Sequence, residues 1–216
     1  MSAGRERLEE GLRLMLVISR GEAAPRTPAE LAKLAFAGGA TSLQLREKHL
    51  TDHELYQEAL ALRQLCRERD KMFVINDRLD LALAVDADFL HLGQKDLPAA
   101  VAARLWPRHK FLGVSVNTLD QAKAALEAGA DYLGVGAVFP TGSKDDAVLM
   151  AKEAVDSIVA LGAPTIAIGG ISVANAASAW GMGVNGLAVI SALAGADDPQ
   201  MAASKLIAAA ALTKTP

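Results

Sequence analysis

The chain has 216 residues and a net charge of -3, and 51% of its residues are hydrophobic while only 4% are aromatic. This length is sufficient for one domain with a large buried core, so we expect a single domain over 1–216, with 1–13 as an N-terminal extension or helix. The charge balance argues against nucleic acid or an anionic membrane surface as a partner, and any phosphate must be bound by local cations.

The cysteine content and the N-terminus indicate the cellular compartment of the protein. Cys66 is the only cysteine and lies in a helical pattern, so we expect a structural thiol and no disulfide within the chain. The charged N-terminus lacks an apolar signal core, and no apolar run is long enough to span a bilayer. We therefore predict a cytoplasmic protein without a membrane partner, and the sequence leaves open whether it forms a homo-oligomer.

Short apolar segments of β type alternate with helical segments along the whole chain. Thr27 with Glu30 and Thr51 with Glu54 form capping-box patterns at the starts of two of the helices. The other helices are predicted at 79–85, 98–106, after Thr118, and at 152–161, 173–182 and 199–212. The predicted strands are 14–18, 42–45, 72–75, 89–92, 111–114, 132–135, 165–168 and 186–189.

Eight uninterrupted βα units predict an α/β protein with a parallel sheet. Eight such units close a barrel, and we therefore predict a single (β/α)8 TIM barrel. An open doubly wound sheet is the alternative, but it rarely needs eight units, and no Gly-x-Gly-x-x-Gly follows the first strand.

Polar residues follow the predicted strands, and in this fold the strand ends meet at one mouth where the chemistry occurs. Gln44, Arg46 and Lys48 share one strand face, which suits diphosphate binding because arginine forks onto phosphate oxygens and lysine adds a point charge. A salt-bridged barrel end, with Glu47 neutralising one cation, explains the segment equally well.

Two carboxylates end neighbouring strands. Asp77 follows the third strand and Asp96 the fourth, and Mg²⁺ typically takes one or two carboxylates and completes its shell with phosphate oxygens and water. The alternative is that Asp77 caps the helix near Leu79 and that Asp96 caps the helix from Pro98.

The last three strand ends carry hydroxyls, a lysine and glycines. The segment Thr141-Gly142-Ser143-Lys144 suits a lid that closes over phosphate, or else is an ordinary mobile loop. Gly169-Gly170 and Ile190-Ser191 follow strands seven and eight, where this fold often binds phosphate, although a tight turn is the alternative.

The spaced motifs resemble the thiamine phosphate synthase family from about Leu14 to Leu193. They are Gln44-Leu-Arg-Glu-Lys48, Ile75-Asn-Asp-Arg-Leu-Asp80, His91-Leu-Gly-Gln-Lys-Asp-Leu97, Gly134-Val-Gly-Ala-Val-Phe-Pro-Thr141 and Ala167-Ile-Gly-Gly-Ile171. The resemblance implies a transferase that joins hydroxymethylpyrimidine diphosphate to a thiazole phosphate with Mg²⁺, through a dissociative mechanism that releases diphosphate.

The resemblance also implies residue roles. Asp77 and Asp96 would ligate Mg²⁺, and Arg46, Lys48, Ser115 and Lys144 would be catalytic. The thiazole phosphate would be held by Thr141, Gly142, Ser143, Gly170, Ile190 and Ser191. The pyrimidine diphosphate would be held by Gln44, Leu45, Arg46, Glu47, Lys48, Asn76, Ser115 and Lys144.

The loop after strand six departs from the family pattern. Thr141-Gly-Ser-Lys144 stands where Thr-Pro-Thr-Lys is usual, and Ala137 replaces a proline. The sister thiazole tautomerases use a histidine near this position, and Ala137 together with both carboxylates argues against that activity. A phosphate-sugar epimerase or decarboxylase barrel would not need the Gln-x-Arg-x-Lys segment. A regulatory barrel would bind ligands without turnover.

Overall fold

Eight parallel strands close into a barrel in chain order in the structure, a computed structural model that describes residues 3–142 and 149–213. Pairing of Leu16 with Val189 joins the first strand to the last. The predicted (β/α)8 barrel is confirmed, with two strands extending slightly beyond their predicted ends. The strands are β1 Leu14–Ile18, β2 Ser42–Leu45, β3 Met72–Asn76, β4 Phe89–Leu92, β5 Phe111–Val116, β6 Tyr132–Val135, β7 Thr165–Ile168 and β8 Gly186–Val189.

Helices connect the strands on the outside of the barrel. The N-terminal segment forms a helix, the short helices α2 and α10 were not predicted, and a 3-10 helix at Ala209–Thr213 ends the described chain. The helices are α1 Ala3–Leu12, α2 Arg20–Ala23, α3 Pro28–Ala37, α4 Asp52–Glu68, α5 Leu79–Ala84, α6 Ala99–Leu105, α7 Leu119–Glu127, α8 Lys152–Val159, α9 Ala176–Trp180, α10 Ser191–Ala194 and α11 Pro199–Ala208.

Both predicted capping boxes are present. The Thr27 and Thr51 hydroxyls accept from the backbone N–H groups of Glu30 and Glu54, whose carboxylates accept in return from the capping residues. These reciprocal bonds satisfy donors that the first helical turn leaves without a partner. The starts of α3 and α4 are therefore set by local sequence.

Helix α9 begins later than its pattern predicts. The backbone N–H of Ser172 donates to Asn175 Oδ1 over 2.7 Å, and Asn175 Nδ2 donates to the Gly170 carbonyl over 2.9 Å. This side-chain bonding holds the segment after β7 in a turn and delays the helix to Ala176. The loop that follows Gly169-Gly170 is consequently longer than the sequence indicated.

Apolar side chains pack in two clusters, one inside the barrel and one between the strands and the helices. Met15 and Val17 point inward, and Leu14, Leu16 and Ile18 point outward, as the two-residue period of a strand requires. Leu8 and Leu12 of α1 join the interior cluster. Because α1 directly precedes β1, it seals the amino-terminal end of the barrel and leaves the opposite end for a cavity.

Among the described residues, no helix is both long and apolar enough to cross a membrane.

Sealing by α1 predicts a strong dependence of stability on Leu12, whose side chain is fully buried. We expect Leu12→Ala to lower the free energy of unfolding by about 2–5 kcal/mol, because it removes buried methyl groups and leaves a cavity. Leu105→Ala is the control, since Leu105 is 60% exposed, and it should change the value by less than about 0.5 kcal/mol. Urea unfolding measures the free energy of unfolding of both variants. Equal losses of stability in the two variants would refute the sealing role of α1.

Candidate active site

A cavity of about 460 Å³ opens where the strands end, at the carboxyl-terminal mouth of the barrel. Its lining comes from β1 to β8 and the loops that follow them. The structure thus brings together side chains far apart in sequence. The predicted site residues in its wall are Gln44, Arg46, Lys48, Asn76, Asp77, Asp96, Ser115, Thr141, Gly170, Ile190 and Ser191.

The segment 44–48 presents alternate residues to the cavity. Gln44 is only 5% exposed, and its Nε2 lies 3.1 Å from the Met15 sulfur. Arg46 and Lys48 line the cavity above it. Leu45 points the other way, into the apolar layer between strands and helices, and does not belong to the wall. The alternate facing predicted for Gln44, Arg46 and Lys48 is thus present, although β2 ends at Leu45.

Glu47 lies outside the wall and organises the backbone around it. Its carboxylate accepts from the N–H groups of Arg20 at 2.9 Å, Lys48 at 2.8 Å and His49 at 3.1 Å. Burial alone would raise the pKa of Glu47, but these donors hold it below the usual range. The segment is thus anchored to the loop after β1 through backbone bonds.

Asp77 and Asp96 stand at the ends of β3 and β4, and neither caps a helix. The N-cap of α5 is Arg78 and that of α6 is Pro98, each without a side-chain capping bond, so the capping interpretations are wrong. The Asp77 N–H instead donates to the His91 carbonyl at 2.8 Å, and Asp96 Oδ2 accepts from the Gly93 N–H at 2.6 Å. Both carboxylates are therefore free to face the cavity.

The two carboxylates interact closely. Burial, then the hydrogen bond and charge of Asp96, raise the pKa of Asp77 to about 7, against the lowering effect of Lys48 and Arg46. The backbone of Asp77 is left-handed, with φ at 65°. Within 3–142 and 149–213, no group of three or more His, Cys, Asp or Glu gathers to hold a metal.

His91 also lines the cavity, although its place within β4 gave no signal of a site residue. Its ring is buried, and both ring nitrogens have hydrogen-bond partners. Nδ1 lies 3.0 Å from Tyr132 Oη and Nε2 lies 2.8 Å from Ser115 Oγ. The Ser115 hydroxyl therefore enters the cavity with a histidine behind it.

Other polar residues of the wall were missed. Asn117 follows β5, its Nδ2 donates to the Gly136 carbonyl, and its N–H donates to Gln121 Oε1 at 2.7 Å. Gln94 donates to the Ser115 carbonyl at 2.7 Å. A polar residue after a strand was the available signal for Asn117. It was overlooked because β5 runs to Val116, beyond its predicted end.

The loops after β6 and β7 meet at the two glycines. Gly169 and Gly170 have φ values of 98° and 64°, and a Cβ on Gly169 would lie 2.6 Å from Ala137 Cα. A side chain at either position would be strained and would collide with the loop after β6. A tight turn directly from strand to helix is wrong, because residues 169–175 separate β7 from α9. Phosphate binding here stays a prediction.

The segment after Thr141 is only partly described. Thr141 lines the cavity, Gly142 does not, and Ser143 and Lys144 lie outside the described residues. The binding roles assigned to these residues stay predictions.

The fold and the mouth define a class of protein: a (β/α)8 barrel enzyme whose site carries cations, carboxylates and glycine-lined loops suited to phosphorylated ligands. The family model described as thiamine monophosphate synthase matches residues 14–193. The chain belongs to this family, and it is a transferase of thiamine biosynthesis.

Individual relatives agree. The chain is 48% identical over 197 residues to the thiamine-phosphate synthase of Moorella thermoacetica, covering 89% of this chain and 93% of the relative. It is 44% identical over 205 residues to that of Coprothermobacter proteolyticus, covering 94% and 96%.

The solved thiamine phosphate pyrophosphorylase of Pyrococcus furiosus superposes with a TM-score of 0.87 at 40% identity, covering 96% of this chain and 100% of that one. A 3-hexulose-6-phosphate synthase, at 20% identity and a TM-score of 0.67 over 92% of this chain and 99% of that one, shares the fold alone.

The carboxylate pair predicts a pH-dependent stability of the metal-free protein. Between the unfolded pKa of about 4 and the folded value of about 7, the native state binds more protons, so stability falls as pH rises. We expect Asp77→Asn to stabilise the protein by about 1–3 kcal/mol above pH 7 and to have little effect below about pH 4, since Asn tolerates a left-handed backbone.

Urea unfolding in EDTA across this pH range measures the difference. Asp70→Asn is the matched control, because Asp70 is exposed, also has a positive φ of 53°, and lies at the opposite end of the barrel before β3. It should change stability by less than about 0.5 kcal/mol at every pH. A pH-independent effect of Asp77→Asn would contradict the assigned carboxylate interaction.

Proposed function

We propose that the protein joins hydroxymethylpyrimidine diphosphate to a thiazole phosphate and produces thiamine phosphate and diphosphate with Mg²⁺ as cofactor. With the carboxylated form of the thiazole, carbon dioxide is released as well. The observation that carries this proposal is the placement of the Asp77–Asp96 pair and the cations Arg46 and Lys48 in the wall of one cavity. A diphosphate with a bound divalent cation presents charges of both signs and complements such a wall.

The carboxylate pair fits Mg²⁺ on its own chemistry. Two hard oxygen donors are the number this ion usually takes from a protein. Burial and the neighbouring Asp96 raise the pKa of Asp77 to about 7, so a positive charge bound beside the pair would be favourable. When bound to Asp77 and Asp96, Mg²⁺ would neutralise negative charge on the departing diphosphate.

Arg46 and Lys48 would hold the diphosphate from the end of β2, the strand next to the one that Asp77 follows. The guanidinium of Arg46 can donate two parallel hydrogen bonds to phosphate oxygens, and Lys48 adds a mobile point charge from an exposed position. Asn76 ends β3 and would donate from its amide. Lys144 is assigned the same role and lies outside the described residues.

The interior of the cavity suits a planar heterocycle. Apolar side chains of β1, β7 and β8 line it, and Gly134 and Gly136 on β6 leave room beside them. The amide of Gln44 can bond to ring nitrogen atoms or an amine, and Ser115 adds a hydroxyl group to the wall. The apolar lining carries Met15, Val17, Ile166, Ile168 and Ala188.

The thiazole phosphate would bind on the side of the loops after β6, β7 and β8. Thr141, Gly170, Ile190 and Ser191 line that part of the mouth, and Gly142 and Ser143 are assigned to it as well. Ser191 begins helix α10, and backbone N–H groups at a helix start and beside glycine can approach phosphate oxygens closely.

Ala137 supplies no acid–base group for a tautomerase reaction.

The proposed reaction is a dissociative substitution at the pyrimidine methylene carbon. The carbon–oxygen bond breaks, and both electrons leave with the diphosphate, which Arg46 and Lys48 stabilise. The lone pair of the thiazole nitrogen then forms the new carbon–nitrogen bond. No proton has to leave carbon, so positioning and electrostatic stabilisation supply the catalysis.

The proposal predicts Mg²⁺-dependent formation of thiamine phosphate with stoichiometric diphosphate. Both products are measured after incubating the protein with the two substrates and Mg²⁺. Asp77→Ala and EDTA should each abolish turnover, and Arg46→Ala should lower kcat/KM by roughly 100-fold or more because stabilisation of the leaving group is lost.

Arg108→Ala is the control, since Arg108 is exposed near the amino-terminal end of β5. It should keep full activity. Turnover that is indifferent to EDTA and to Asp77→Ala would refute the metal role. Binding of the pyrimidine diphosphate without product would refute the substrate pair.

A further inference from the structure

A chain of hydrogen bonds runs from the barrel interior to the cavity. Tyr132 Oη on β6 lies 3.0 Å from His91 Nδ1 on β4, and His91 Nε2 lies 2.8 Å from Ser115 Oγ on β5. His91 and Ser115 line the cavity, whereas Tyr132 is fully buried beneath it. Tyr132 therefore cannot touch a ligand, but it can act on one through two intermediate side chains.

Two glycines leave the space that this arrangement needs. A Cβ on Gly113 of β5 would collide with the Tyr132 ring, and a Cβ on Gly134 of β6 would lie 2.9 Å from His91 Cε1. Both positions lie in β-strands, where a glycine has no side chain to pack and weakens the strand. The close approach of the two rings is thus accommodated by both neighbouring strands.

The burial of Tyr132 decides which partner is the donor in its hydrogen bond with His91. Among residues 3–142 and 149–213, the hydrogen-bond partner of the Tyr132 hydroxyl is His91. Burial raises the pKa of Tyr132, so the hydroxyl stays protonated. If Nδ1 were the donor, the tyrosine proton would be buried without an acceptor. A buried donor without a partner costs more than an unused lone pair, so Tyr132 donates to Nδ1.

The remaining protons then follow. Neutral imidazole has one N–H group, and with Nδ1 as acceptor that group is Nε2–H. Nε2–H donates to Ser115 Oγ, so the serine proton cannot point back to the histidine. It is left to point toward a ligand in the cavity.

We propose that Tyr132 is a positioning residue that holds His91 in the Nε2–H tautomer and thereby makes the Ser115 hydroxyl a hydrogen-bond donor to the substrate. The ligand atom it selects is an acceptor, such as an unprotonated ring nitrogen or a phosphate oxygen, rather than an amine. This inference rests on the proposed function for the identity of the substrate, but not for the tautomer.

The tautomer is measurable without substrate. In the ¹⁵N spectrum of the histidine-labelled protein at alkaline pH, where imidazole is neutral, His91 should show a pyridine-like Nδ1 and a pyrrole-like Nε2. His91→Gln assigns the signals. A pyrrole-like Nδ1 would overturn the proposal, because Ser115 would then donate to the histidine.

A double-mutant cycle tests the consequence for catalysis. Tyr132→Phe retains the ring and should lower kcat/KM roughly tenfold, the value of one oriented hydrogen bond. Ser115→Ala should lower it at least as much, and adding Tyr132→Phe to Ser115→Ala should cause no further loss. Additive losses would show that Tyr132 acts through packing and would overturn the relay.

Tyr56→Phe is the matched control, because Tyr56 is the only other tyrosine and lies partly exposed on α4. It should leave kcat/KM unchanged. Failure of the substrate pair to react at all would refute the proposed function. The ¹⁵N spectrum would still decide the tautomer, so the two failures are distinguishable.

Discussion

Pairing of β8 with β1 is the constraint on which the rest of the molecule depends. With Leu16 opposite Val189, the sheet has no edge, and the carboxyl ends of eight strands meet around one opening. Residues as distant in sequence as Gln44 and Ser191 thereby enter one wall. Sealing of the other end by Leu8 and Leu12 leaves this mouth as the place where ligands can reach the interior.

The mouth concentrates charges of both signs that would be unfavourable if alone. Burial raises the pKa of Asp77, the hydrogen bond and charge of Asp96 raise it further, and Lys48 and Arg46 offset these effects only in part. A carboxylate with a perturbed pKa beside cations in a cavity is a common feature of functional sites built on stable scaffolds.

Much of the fold and part of the site could be predicted because both depend on short-range patterns. Alternate facing from β2 into the segment that follows it separates Gln44, Arg46 and Lys48 from Leu45. The capping boxes at Thr27 and Thr51 set helix starts locally. Asn117 escaped prediction because the end of β5 depends on pairing with β6. The late start of α9 was not predicted, because the Asn175 amide competes with the helix for backbone hydrogen-bond partners.

The sequence by itself determined the order of the βα units, the family and the residue types at each strand end, since these follow from periodicity and local motifs. Only the tertiary structure decided which of these residues share a wall. It placed Leu45 in the outer core, turned Glu47 toward backbone donors, and set Tyr132 behind His91 and Ser115. The physical reason is that facing, burial and hydrogen-bond direction arise from barrel closure, a long-range property that no local segment encodes.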